Sequence, residues 1–229
     1  MTRTLAVTAT GTEIGKTFVT AALARQLRDR GHAVTATKPV STGCERDAEG
    51  RLWSPDGRVL IEACGLDPAD WTTHQNLCLE RFPDPISPHQ AADRAGRILS
   101  LGMLTGYCQA LEGETEGFVV AEGIGGVMTP LTDSTTFLDW LVELRWPVLL
   151  VAGTYLGSLS HTLTALRCLQ TAGVEAAGLV LDRSPEEPVE AAEVHRTLAF
   201  FHPEVPIAVV PRDGEPPDLV AALGLEADL

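Results

Sequence analysis

A chain of 229 residues, 45% hydrophobic and 21% charged, is long enough for one buried sheet with helices on both faces and leaves little room for a second domain. Thirty-one acidic residues against 17 basic give a formal charge of −14, which repels nucleic acid and anionic lipid, so any phosphate must be held by a local device. No apolar run reaches the ~18 residues that cross a membrane, and Met1–Thr4 lead straight into strand-like sequence without the pattern of a secretory leader, so a cytoplasmic protein is expected.

Residues 4–9 (T-L-A-V-T-A) read as a short buried strand. From 16 to 30, Val19, Ala22, Leu23 and Leu27 recur at helical spacing, and Gly31 follows as a stop. Further strands are expected at 33–38, 118–121, 148–152, 177–181 and 207–210, and further helices near 56–65, 97–112, 135–144, 160–172 and 188–201. The stretch 66–96 is polar, Pro-rich and His-bearing and reads as an excursion. Residues 211–218 read as a loop, and 219–229 as a tail with room for a short helix. Alternating strands and helices predict one α/β domain over 1–229, a mostly parallel sheet with helices on both faces and ligands at the carboxyl ends of the strands. The five cysteines, 44, 64, 78, 108 and 168, have no C-x-x-C spacing and read as idle thiols of a reducing compartment.

Gly11-Thr12-Glu13-Ile14-Gly15-Lys16-Thr17 lies between the first strand and the first helix, the context a phosphate-binding P-loop needs. Gly15 permits close backbone approach, and the helix N-terminus offers free N–H groups and a favourable dipole. Lys16 can reach the outer phosphates, and the Thr17 hydroxyl can ligate Mg²⁺. The strict spacing G-x-x-x-x-G-K-T would put a glycine at position 10, where this chain has Thr10, so a plain strand-to-helix turn with a chance G-K-T is the alternative. A magnesium ion needs acid as well. Glu122 ends an apolar strand and precedes Gly123-Ile124-Gly125-Gly126, a placement that packing does not readily explain. Asp56 opens a helix; taken alone, it reads more simply as a helix N-terminal acid.

Several motifs stand in order over nearly the whole chain: Thr12-Glu13-x-Gly15-Lys16-Thr17, Lys38-Pro39-Val40-x-Thr42-Gly43, Ser87-Pro88-His89, Glu122-Gly123-x-Gly125-Gly126 and Leu156-Gly157-x-x-x-His161, with Thr129–Asp133 and Asp139-Trp140 beside them. In this combination the chain resembles the dethiobiotin synthetases. The resemblance implies ATP-dependent closure of a cyclic urea from 7,8-diaminononanoate and CO₂, with ATP as co-substrate and Mg²⁺ as cofactor. It implies that Thr17, Asp56 and Glu122 hold the metal. Lys38, Lys16 and Thr12 would serve catalysis, and Thr12, Lys38, Thr42 and Ser160 would meet the substrate. Nucleotide would be bound by Glu13, Ile14, Gly15, Lys16, Thr17 and Phe18, by Asp56, Glu122, Gly123, Ile124 and Gly125, and by Asp182, Arg183, Pro211, Arg212 and Asp213. A homodimer is implied, with the 157–161 segment of the partner holding the substrate carboxylate. This chain departs from the family pattern at Ala9, where Gly is usual, at Asp182, where Asn is common, and at Ser160, where an Asn can help bind that carboxylate.

Two rivals share the P-loop. A cobyrinate-type amide synthase carries a glutaminase domain that 229 residues cannot also hold. A nucleotide switch or partitioning ATPase usually has an early lysine in the loop, whereas positions 9–11 here are Ala-Thr-Gly. Among other residues, His161 reads as a packing or hydrogen-bonding group and His89 as the shaper of a substrate-facing loop. The four tryptophans read as core or interface residues, and Glu186–Glu193 as a solvated helix face.

Overall fold

A computed structural model describes residues 2–212 and 214–225, so Asp213 lies outside the described residues. In chain order the elements are β1 (Arg3–Ala9), α1 (Lys16–Asp29), β2 (Val34–Thr37), β3 (Val40–Ser41), β4 (Glu45–Arg46), β5 (Leu52–Trp53), α2 (Pro55–Ala63), α3 (Trp71–Leu77), β6 (Glu80–Arg81), α4 (Pro88–Arg94), α5 (Leu101–Glu114), β7 (Phe118–Glu122), α6 (Phe137–Leu144), β8 (Val148–Gly153), α7 (Ser158–Thr171), β9 (Ala176–Asp182), α8 (Ala191–Phe201), β10 (Ile207–Val210) and α9 (Leu219–Ala222).

Six strands form one sheet in the order β10-β9-β8-β1-β7-β2, with every neighbouring pair parallel. Side chains alternate across it, as the period of two requires. Leu5, Val7, Val120, Leu149, Val151 and Val180 face one layer with Val19, Leu23 and Leu27 of α1 and Leu219 and Val220 of α9. Ala6, Val119, Ala121, Leu150, Ala152 and Leu181 face the other, with Leu104 of α5, Trp140 and Leu141 of α6, Leu166 of α7 and Leu198 of α8. Burial on both faces is why these strands read as unbroken apolar runs. Deleting a side chain such as that of Leu150, which is fully buried, is expected to cost about 2–5 kcal/mol.

Local signals set the helix ends. The helix expected from 97 starts at Leu101, because the Ser100 hydroxyl accepts the Met103 N–H at 3.2 Å as an N-cap. Thr136 and Asp139 form a capping box that starts α6. The helix expected from 188 starts at Ala191, because Glu190 is extended (ψ 139°) and stands as its N-cap. That corrects the reading of Glu186–Glu193 as a solvated helix face, since Glu187 lies before the helix and its side chain is largely buried. The excursion 66–96 carries the short helices α3 and α4 and the two-residue strand β6.

β1 stands where the strand order reverses. The chain crosses over β7's position to β2, then returns through β7 and runs outward through β8, β9 and β10. The carboxyl ends of these strands carry the loop 10–15, Lys38, Glu122 and Asp182 along one edge of the sheet, the edge where such folds place ligands.

Candidate active site

Gly15 caps α1 in the left-handed conformation (φ 84°) with no side chain capping the helix, so the first-turn N–H groups face the loop that precedes them. Glu13 also has a positive φ of 58°, costly for a residue with a Cβ and typical of loops held for function. A Cβ on Gly15 would lie 1.8 Å from an Asp182 carboxylate oxygen, so the glycine is required by the contact as well as by the turn.

Lys16 is buried, and its Nζ donates to the Gly11 carbonyl at 2.9 Å. Lys38 is buried between two carboxylates. Its Nζ lies 2.5 Å from Glu122 Oε1 and 2.7 Å from Asp56 Oδ2, and it donates to the Gly123 carbonyl at 3.1 Å. The Thr17 hydroxyl donates to Glu122 Oε1 at 2.7 Å. Two lysines and two carboxylates thus converge with one hydroxyl. Burial, then the neighbouring Lys38 charge, lowers the pKa of Lys16 to about 8, against the pull of Glu122 and Asp56. Burial pulls Lys38 down too, but Glu122 and Asp56 outweigh it and raise its pKa above the ordinary lysine value. For Asp56 burial pushes upward, and Lys38, with Thr17 and Lys16 helping, holds the carboxyl below its ordinary value.

The donor set fits a hard divalent cation. Glu122 is fully buried, and its Oε2 has no hydrogen-bond partner among the described residues. All the candidate ligands, Thr17, Asp56 and Glu122, are oxygen donors. No group of three or more His, Cys, Asp or Glu side chains could hold a metal among the described residues. Magnesium does not require one, because it is commonly held by one or two carboxylates plus phosphates and water.

A cavity of about 330 Å³ opens beside the loop, lined by Glu13, Ile14, Phe18, Asp182, Arg183, Pro211 and Arg212. Those seven come from three separate expected segments, and the fold brings them together. Gly153, Ser184 and Pro185 complete the lining, and the motifs gave no signal for them. Burial raises the Asp182 carboxyl, with Arg212 partly offsetting it. Arg183 is ion-paired to Glu187, whose Oε1 accepts from Thr154 Oγ1 at 2.5 Å. A second cavity, of about 500 Å³, lies on the far side of the loop between Thr10–Thr12, Gly126–Pro130 and His161.

The remaining candidates sit apart or act through packing. Gly123 meets Lys38 through its carbonyl, and a Cβ there would lie 2.2 Å from the Phe137 ring. Ile124 packs on the core, and Gly125 has a φ of 65°. Thr42 is half-buried at the turn after β3. Ser160 is exposed on α7 and lines neither cavity. His161 hydrogen-bonds Tyr155 at 2.8 Å and His89 hydrogen-bonds Ser87 at 3.0 Å, both through Nδ1.

A family described as AAA domain matches residues 3–215. The ATP-dependent dethiobiotin synthetase of Methylobacterium nodulans is 41% identical, over 92% of this chain and 94% of its own length. This chain belongs to the dethiobiotin synthetase family. The corresponding synthetases of Caulobacter sp. strain K31, 42% identical over 91% of this chain and 87% of its own, and of Escherichia coli K12, 32% identical over 96% of each, agree. Among solved structures, the septum site-determining protein MinD of Pyrococcus horikoshii, complexed with Mg-ADP, has a TM-score of 0.58 at 21% identity, covering 93% of this chain and 82% of its own. A ParA family ATPase of Chlorobium tepidum has a TM-score of 0.53 at 14% identity, covering 93% and 84%. At these identities the likeness shows the fold alone. These two proteins share the fold, while the synthetase relatives share the sequence.

Proposed function

We propose that this chain, acting as one P-loop domain over residues 1–229, is a cytoplasmic enzyme that closes the ureido ring of dethiobiotin from 7,8-diaminononanoate, CO₂ and ATP, with Mg²⁺. The observation that carries the reading is Lys38, a buried ammonium bracketed by Glu122 and Asp56 next to Thr17 and the Lys16 loop. Phosphoryl transfer needs positioning and charge stabilisation and no protein nucleophile, and this cluster supplies both.

One amine of the diamine adds to CO₂, forming an N–C bond and releasing a proton to solvent. A carbamate oxygen attacks the γ-phosphorus of ATP, and the bond to ADP breaks. The second amine attacks the carbonyl carbon of the resulting carbamic-phosphoric anhydride, forming the second N–C bond and losing a proton to solvent; the C–O bond breaks and phosphate leaves. Lys16, from the start of α1, neutralises the outer phosphates. Lys38 swings between the carboxylates and the carbamate and γ-phosphoryl oxygens, while Thr12 and Thr42 offer hydroxyls to the diamine side. Thr17, Asp56 and Glu122 would hold Mg²⁺, which would supply charge neutralisation for the transferring phosphoryl group. The base enters the 330 Å³ cavity, against Asp182, Arg183, Pro211 and Arg212.

A homodimer belongs to the same reading, with Ser160 exposed at the start of α7 to meet the carboxylate of a substrate held by the partner. Mixing a Lys16→Ala chain with a Ser160→Trp chain should restore about a quarter of native activity, since half of random dimers contain one intact site. No recovery, or a fully active monomer by sedimentation, would remove the shared site. The reading as a whole is tested by phosphate release from ATP: it should depend on both the diamine and bicarbonate. Turnover indifferent to the diamine would favour a nucleotide switch.

A further inference from the structure

Helix α3 meets the main sheet only at the end of its edge strand β2, and neither His74 nor Leu77, its two buried residues, belongs to the clusters that pack the sheet. Asp70 caps it, accepting the Thr73 N–H at 2.9 Å. Its two buried residues reach two different parts of the candidate active site. The Leu77 carbonyl accepts the Lys38 N–H at 2.9 Å and the Thr37 hydroxyl at 2.8 Å. His74 Nε2 accepts the Ser54 N–H at 2.9 Å.

Ser54 is the N-cap of α2. Its hydroxyl accepts the Gly57 N–H at 2.9 Å and bonds the Ser41 hydroxyl at 2.7 Å, and Asp56 sits two residues on, in the first turn. The cap is crowded, for a Cβ on Gly57 would lie 2.2 Å from Cys78 Sγ. The first turn of α2 therefore has little freedom once Ser54 is fixed. His74 is itself held, fully buried, with its ring centroid 4.8 Å from that of Trp53 and 5.7 Å from that of Trp71 in a stacked pair. The 2.9 Å contact with an N–H donor sets the tautomer: Nε2 is the acceptor and the proton is on Nδ1, which has no hydrogen-bond partner among the described residues.

We propose that His74 is a positioning residue for the metal site, fixing the N-terminus of α2 so that Asp56 faces Lys38 and Glu122. This rests on the reading of Asp56 as a metal ligand. One seven-residue helix then sets both members of the Lys38–Asp56 pair, which meet at 2.7 Å: Lys38 through the Leu77 carbonyl and Asp56 through the His74 ring. Groups behind the direct ligands commonly tune metal affinity by about 10–100-fold.

The test is ATP binding by calorimetry at graded Mg²⁺ concentrations and in EDTA. His74→Leu should raise the Mg²⁺ concentration for half-effect about tenfold and leave Mg²⁺-free ATP affinity within about twofold. His74→Gln, whose Oε1 can replace Nε2 as acceptor, should stay within about threefold of native. A His74→Leu chain with native Mg²⁺ dependence, or a His74→Gln chain as impaired as His74→Leu, would overturn the assignment. Native ATP binding indifferent to Mg²⁺ would instead remove Asp56 as a ligand and the proposal with it. Should the variants not fold, ¹⁵N spectra of the native imidazoles decide: the proposal requires a neutral His74 protonated on Nδ1, and an Nε2-protonated ring overturns it.

Discussion

At the phosphate-loop end of the site, Lys16, Lys38 and Glu122 are buried and the two lysine charges are matched by two carboxylates. At the β9–β10 end, Asp182 is half-buried, Arg183 and Arg212 are exposed, and Arg183 is tied sideways to Glu187. The first region is a closed charge cluster in which every group depends on its neighbours. The second is an open wall whose members can change one at a time. Substitutions at the first should therefore be severe and coupled, and substitutions at the second mild and directed at selectivity.

The largest effect is expected from Lys38→Ala. Turnover should fall by ~100-fold or more, as for loss of one preorganised charged donor. Removing the ammonium also leaves the buried Glu122 uncompensated beside the partly exposed Asp56, which should lower stability without metal. Adding Mg²⁺ should recover part of that loss, and melting curves with and without Mg²⁺ measure it. Near-native turnover, or a melting temperature indifferent to Mg²⁺, would break the picture of a closed cluster.

A smaller effect follows from Lys16. Its folded pKa, about 8, lies below the ordinary 10.5, so the unfolded chain holds more protons between those values. The buried charge costs stability below pH 8, and the cost is relieved as pH rises toward 10.5. Nucleotide phosphates require the charged form. ATP affinity should therefore weaken by up to tenfold per pH unit above about 8, with a proton taken up on binding. Calorimetry at pH 8.5 in buffers of different ionisation enthalpy reads that proton directly; equal heats would contradict it.

The smallest effect belongs to the open wall. An Asp182 carboxylate accepts hydrogen bonds and donates none, so it can meet the adenine amino group but not N7, whereas guanine offers N1–H and N2–H along one edge. The native chain should discriminate ATP from GTP only weakly, and Asp182→Asn should shift the preference toward ATP by about tenfold or less. Turnover with both nucleotides checks it. A strong native ATP preference that Asp182→Asn leaves unchanged would mean that the base is read by other groups.

Much of this was legible in the sequence, for reasons that differ by element. The inner strands β1, β7, β8 and β9, buried on both faces, announce themselves as apolar runs, and with the edge strands β2 and β10 all six strands are expected within a residue or two of their observed ends. The loop around Lys16 was legible because strand, glycine, G-K-T and helix stand in immediate succession. What lay hidden was tertiary. Lys38 and Glu122 are 84 residues apart, and only the sheet brings them within 2.5 Å. Helix α3 (W-T-T-H-Q-N-L) is short and polar with no apolar stripe; the cap Asp70 was its one local signal. Ser87-Pro88, an N-cap followed by proline at the first helical position, is a local sign of α4 inside the S-P-H motif. Glu187 stands in an acidic run, and its partners Arg183 and Thr154 carry no pattern that marks a contact.

The placing of β1 at the centre of the sheet has a consequence for how the chain is made. Its neighbours are β7 and β8, so roughly a hundred residues separate Ala9 from the first strand that can pair with it. At ~5–20 residues per second, a ribosome takes roughly 5–20 s to supply that partner. Throughout that interval a run of seven residues, five of them buried in the finished protein, has both edges unpaired. The newborn chain is therefore most exposed to aggregation during the synthesis of its first half, and a holdase that protects this strand should act before β7 emerges.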